Sequence, residues 1–170
     1  MSLLLPFVAI ALILFAAWAL TRARRANPRE GAEAYYLRLS LFTPAEQAFL
    51  GVLESQLPPG VRLFGKVRLE DIFAVKDDMK AGARQAARHR VGRGHVDFLL
   101  VSAGDLAPLA GIELDDRSPA EADRRERDRF VDELFTGVGL PLWRVPAQRS
   151  YNGAELFARL TDLLRSRLAE

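Results

Sequence analysis

The chain has no cysteine among its 170 residues, which excludes disulfides, zinc–thiolate centres and thiol catalysis and agrees with a reducing compartment. Lysine is nearly missing as well. Of 24 basic side chains only Lys66, Lys76 and Lys80 are lysine, a bias toward arginine that suits phosphate recognition or simply follows genomic base composition. No internal repeat breaks the chain into modules, and the formal charge is only +2. What is abundant is apolar side chain, 49% of the residues, enough to bury the core of one globular domain.

The apolar residues are unevenly spread. Leu3 to Leu20 form an unbroken run of eighteen, long enough as a helix to cross most of a bilayer's roughly 30 Å hydrocarbon core. Trp18 stands at its end, and Arg22, Arg24 and Arg25 follow. By the positive-inside rule this predicts a single-pass anchor in the inner membrane, N-terminus out and the remainder in the cytoplasm. A cleaved signal peptide is the rival reading, given Ala17-Trp18-Ala19, but the n-region lacks a basic residue. The expected division is an anchor over 1–20, a juxtamembrane linker over 21–40 and one domain over 41–170.

Within that domain, Thr43-Pro44-Ala45-Glu46 is a capping box with proline at the first helical position, predicting a helix to Leu57. Pro58-Pro59-Gly60 ends it, and Val61 to Leu69 alternates as a strand. A short helical turn is expected over Asp71 to Val75, a polar helix over Asp78 to His89, and strands over His95 to Ser102 and Leu109 to Asp115. Ser118-Pro119-Ala120-Glu121 repeats the capping device and opens a charged helix that Gly137 and Gly139 stop. Pro141 to Pro146 supplies a last strand and Ala154 to Leu168 an amphipathic helix. The order is α-β-β-β-α-β with a terminal helix, a mixed sheet flanked by helices.

Acids stand where such strands usually bury aliphatics. Alternation puts His95 and Asp97 on one face of their strand and Gly111, Glu113 and Asp115 on one face of the next. If the two strands pair, three carboxylates converge. Carboxylates so placed persist only when protonated, paired with a base or bound to a cation, and oxygen-only ligands favour magnesium or manganese. The competing reading is acids at strand ends, solvated or paired with Arg90 or Arg93. Between Met79 and Val96 the chain holds Lys80, Arg84, Arg88, Arg90 and Arg93, with His89 and no acid. That is a footprint for the phosphates of DNA or RNA, with a solvated helix face or anionic headgroups as alternatives. The helix bearing Arg124, Arg125, Arg127 and Arg129 also holds Asp123, Glu126 and Asp128, so mutual pairing accounts for its charge.

The element order with Asp97 and Glu113 resembles the PD-(D/E)XK, or restriction-endonuclease-like, nuclease superfamily. Five phrases in order are similar, more closely, to a bacterial family known as domain of unknown function 2726: Leu41-Phe42-Thr43-Pro44-Ala45-Glu46, Lys66-Val67-Arg68-Leu69, His95-Val96-Asp97-Phe98, Ile112-Glu113-Leu114-Asp115-Asp116, and Glu126-Arg127-Asp128 with Leu140 to Pro146. The resemblance implies an endonuclease-like core after the N-terminal transmembrane helix. Asp97 and Glu113 would be metal ligands, with the Leu114 carbonyl, Asp115 and Glu46 completing the shell around Mg2+ or Mn2+. It implies metal-dependent phosphodiester hydrolysis of nucleic acid at the cytoplasmic face of the membrane. The superfamily's lysine, two residues after the second acid, is Asp115 here, as in relatives similar to very-short-patch repair nucleases. Their later histidine is Pro119. His95 as an acid or phosphate contact and Lys66 as a replacement cation are the candidates left for catalysis. The alternative is a catalytically degenerate relative that binds nucleic acid or a protein at the membrane.

Overall fold

A computed structural model describes residues 10–19, 34–115, 122–165 and 167, and the chain divides into two compact units, Met1–Leu41 and Phe42–Glu170. The expectation of a transmembrane helix over 1–20 is overturned. Among the described residues no helix is long and apolar enough to cross a membrane. The helix described in that segment covers 10–19, about 15 Å at the α-helical rise and half of a hydrocarbon core. Hydropathy alone reads the run Leu3 to Leu20 as a span. The membrane partner, the single-pass topology and the inner-membrane localisation deduced from it fall together. Arg22, Arg24 and Arg25, and the linker up to residue 33, lie outside the described residues, as do the capping box Ser118 to Glu121 and Leu168.

The second unit begins with α1 (Pro44–Ser55), where Thr43 and Glu46 form the full capping box and Pro44 opens the helix. It ends two residues before Leu57, with Gln56 as its C-cap. β1 (Val61–Arg68) is followed by the four-residue helix α2 (Leu69–Ile72) and by α3 (Ala81–Val91). Then come β2 (His95–Ser102), β3 (Pro108–Asp115), α4 (Ala122–Gly137), β4 (Leu142–Pro146) and α5 (Gly153–Leu164). The four strands make one mixed sheet in the order β1-β2-β3-β4. The first two pairings are antiparallel and β3–β4 is parallel, since α4 supplies the crossover that a parallel pair requires.

Both faces of the sheet are covered. Phe49 and Leu53 of α1, with Leu156, Leu160 and Leu164 of α5, pack on Phe98, Leu100, Ala110 and Ile112. On the other face Val131 and Phe135 of α4, Leu69, Phe73 and Val91 pack with Leu99 and Val101. Each such side chain contributes on the order of 2 kcal/mol by leaving water, so these two layers, rather than surface ion pairs, hold the fold. Gly111 fits the second layer because a Cβ there would stand 2.4 Å from the Phe135 ring. Gly111→Ala is therefore expected to overpack the layer and cost about 1–3 kcal/mol in a urea denaturation.

Two departures from regular strands position the candidate site. The β2–β3 ladder ends at Phe98↔Ile112, although β2 extends back to His95 against β1 and β3 extends on to Asp115 against β4. Each inner strand follows its outer neighbour, and a mouth opens between them with Asp97 on one lip and Glu113 on the other. At the same level the strands turn over. Phe98 and Leu100 belong to the first core layer but Val96 to the second, and Leu63 packs on the first but Val67 on the second. Residues two apart share a face in an undistorted strand. The turnover in β1 coincides with Lys66, whose φ is +55°, a left-handed conformation that costs a non-glycine residue roughly 1–2 kcal/mol. Lys66 sits between the pairs Gly65↔Phe98 and Val67↔Val96, in the position opposite Asp97.

Candidate functional site

The capping box that starts α1 also builds the site. Glu46 accepts a hydrogen bond from the Thr43 backbone N–H on Oε2 at 2.9 Å, which fixes its carboxylate and leaves Oε1 to a second partner. That partner is the Lys66 ammonium, 2.8 Å from Glu46 Oε1 and 2.8 Å from Asp97 Oδ1. Asp97 uses its other oxygen at the strand mouth, where Oδ2 accepts from the Leu114 backbone N–H at 3.0 Å. The carboxylate thus occupies the ladder position that β2 and β3 vacate. The three charged groups are largely shielded, with side-chain exposure of 11% for both acids and 26% for the lysine. Burial alone would lower the Lys66 pKa, but the two carboxylates outweigh it and raise the pKa above its ordinary value. The ion pairs also offset the strained backbone at this residue.

Glu113 stands across the mouth and is buried, and its Oε1 has no hydrogen-bond partner. Burial, reinforced by the Asp97 charge and partly opposed by Arg127 and Arg144, pushes its pKa up to about 8. At neutral pH it is a neutral acid. His95 Nε2 lies 3.9 Å from Asp97 Oδ1. Burial and the nearby Lys66 charge lower its pKa against the opposing pull of Asp97. A neutral imidazole therefore faces the cluster at pH 7.

Asp115 is elsewhere engaged. Arg144 on β4 donates to Asp115 from Nη1 at 2.7 Å and to Asp132 on α4 from Nε at 2.9 Å, and its Nη2 donates to the Asp128 carbonyl. This guanidinium ties the end of β3 to α4 and takes Asp115 out of the group formed by Glu46, Lys66 and Asp97. Sequence reasoning overlooked Arg144. Its only signal was a single cation inside a short apolar strand, aligned with Glu113 in the β3–β4 register.

The expected metal centre is accordingly not assembled. Among the described residues no group of three His, Asp or Glu side chains could hold a metal ion. The alternation argument assumed regular strands. The turnover instead carries an ammonium to the carboxylates, the Arg144 fork removes Asp115, and Glu113 is kept neutral. A divalent cation would need the oxygens that Lys66 already uses, so these residues as arranged do not fit it.

The predicted phosphate contacts separate into two groups. Arg84 turns to Asp77 at 3.7 Å, and Lys80 and Arg88 are exposed at the start and last turn of α3. Arg90 and Arg93 join His89 and Arg127 in lining a cavity of about 600 Å3 between α3 and α4, over Leu69 and Gly94. A second cavity, of about 700 Å3, opens beside Thr43, Glu46, Leu114 and Arg149. Gly94 of the first cavity's lining directly precedes His95, and Arg127 acts electrostatically on His95 and Glu113, so the basic cavity adjoins the strand mouth.

No curated protein and no solved structure matches the chain. A family model described as "Protein of unknown function (DUF2726)" matches residues 38–163, a span that contains every side chain of the strand mouth and of the basic cavity. The chain therefore belongs to the DUF2726 family of proteins of unknown function.

Proposed function

We propose that this protein is a nucleic-acid-binding module on a PD-(D/E)XK-like scaffold, and that it holds its ligand without cutting it. The observation that carries the reading is the Lys66 ammonium, 2.8 Å from the Glu46 and Asp97 oxygens that a catalytic cation would otherwise engage. Asp115 in place of the superfamily's lysine and Pro119 in place of its later histidine are consistent with lost cleavage. The arginines beside the strand mouth supply the affinity. Guanidinium groups grip phosphate oxygens in forks, release counterions from the polyanion and need no metal to do so.

In this account Lys66 is structural. It neutralises two shielded carboxylates and locks the β1 turnover, which keeps the basic cavity and the strand mouth in a fixed relation. A fluorescence-anisotropy titration of labelled oligonucleotides across a salt series tests the reading, with the same samples then incubated with Mg2+ or Mn2+ and run on a denaturing gel. With about three phosphate contacts, log affinity should fall against log salt with a slope near −2 to −3, and the oligonucleotides should stay intact. Absence of binding at low salt would overturn the proposal. So would cleavage that Glu113→Gln abolishes.

A further inference from the structure

We infer that the cavity between α3 and α4 is a subsite for one unpaired nucleotide of a single-stranded nucleic acid, a conclusion that rests on the proposed nucleic-acid binding. The cavity has the two chemistries a nucleotide needs. Its apolar lining is the buried Leu69 and the half-buried Phe130, with the exposed Ala86 beside them. Gly94 closes that lining tightly, since a Cβ there would meet Leu69 Cδ1 at 2.5 Å. Its rim is cationic, with Arg93 and Arg127 as exposed guanidinium groups on two different elements.

The rim is also ordered. The Arg90 guanidinium lies over the Phe130 ring, 4.0 Å from Cζ to the ring centroid, and reaches Glu126 at 3.8 Å. A planar cation stacked on an aromatic ring forms a step on which a base can lie flat, and Glu126 restrains that cation rather than repelling the ligand as a free charge. Stacking of this kind is tolerant of base identity, because every base offers a π-face.

Size and shape favour a single strand over a duplex. A space of about 600 Å3 accommodates one base with its sugar, with phosphates on either side reaching Arg93 and Arg127. In a duplex the bases are stacked inside, and only the phosphate backbone would meet the rim, leaving the apolar lining unused. Gly94 of the cavity lining directly precedes His95, the first residue of β2, so the strand's path runs beside the mouth of the sheet.

The test uses the full chain, a fluorescent ten-residue oligothymidylate, and a duplex of the same length. The expected result is tighter binding of the single strand than of the duplex by about tenfold or more. Phe130→Leu should erase that preference, weakening the single strand about tenfold and leaving the duplex unchanged. Arg127→Gln, at an exposed position, should weaken the single strand several-fold and serves as the independent variant should Phe130→Leu lower thermal stability. A wild-type protein that binds the duplex as tightly as the single strand overturns the subsite. Single-strand binding indifferent to Arg127→Gln overturns it as well. Failure to bind either ligand overturns the parent reading instead.

Discussion

Replacing Glu113 by glutamine should make the protein more stable at pH 8 and leave it nearly unchanged at pH 4. Glu113 is buried beside Asp97, and its pKa is pushed up to about 8 from the ordinary 4.5. Below pH 4.5 the carboxyl is protonated in both the folded and the unfolded chain, so it contributes no pH dependence. Between pH 4.5 and 8 the unfolded chain releases a proton that the folded chain keeps, and stability falls steadily as pH rises; above 8 the loss is complete. A glutamine is close to the shape of the protonated acid and has no proton to release. The gain at pH 8 should be on the order of 3 kcal/mol, taken below the full shift because the structure relaxes around such groups. Urea denaturations of both proteins at pH 4, 6 and 8 would show it. A Glu113→Gln protein less stable than wild type at pH 8 would mean that the carboxylate is used in its charged form.

Lys66→Met should have the opposite sign. Methionine keeps much of the length of the side chain but removes the charge that Glu46 and Asp97 share, each with 11% of its side chain exposed. Leaving two shielded carboxylates without a counter-ion is expected to cost about 3 kcal/mol at pH 7, below the upper end for fully buried pairs because Lys66 reaches solvent. Its raised pKa keeps Lys66 charged from neutral pH up to the ordinary lysine value of 10.5, and on the alkaline side the contribution is lost only as pH rises through the raised value. The deficit of the variant should shrink in acid, where the orphaned carboxyls take up protons. Equal deficits at pH 4 and pH 8 would assign the effect to lost packing instead.

The two experiments probe the same cluster from its two sides, and their contrast follows from which group carries charge. Glu113 is neutral because burial and the Asp97 charge raise its pKa, and its Oε1 has no hydrogen-bond partner. Asp97 has both oxygens engaged, by Lys66 and by the Leu114 N–H. A metal-centred arrangement would treat these two acids alike.

Local signals in the sequence were strong where chemistry and geometry coincide within a few residues. Thr43, Pro44 and Glu46 announced the start of α1, and the spacing of Phe49 and Leu53 announced the face it buries. The pairing of β2 with β3 was legible in their apolar runs, although Asp97 and Glu113 lie just beyond its last pair. What alternation does not encode is where a ladder stops. The mouth exists because the pairing ends at Phe98↔Ile112, and no residue type marks that point. Nor does sequence announce a left-handed lysine; glycine at 65 is the residue that suggests a turnover, yet Lys66 adopts it. Glu46 stood out as a cap, but its contact with Lys66 depends on the turnover in β1, which sequence does not encode. The ion pair of Asp115 with Arg144 was not legible, because Arg144 comes from a strand far along the chain.

The measurement that bears most directly on the central claim is a calorimetric titration of Mn2+ into the wild-type protein at pH 7, repeated on Lys66→Met and Glu113→Gln. With Lys66 as the resident cation, the wild type should show no stoichiometric binding in the micromolar range, and Glu113→Gln should match it. A single Mn2+ site in the wild type that disappears in Glu113→Gln would contradict the account and restore a metal-dependent nuclease.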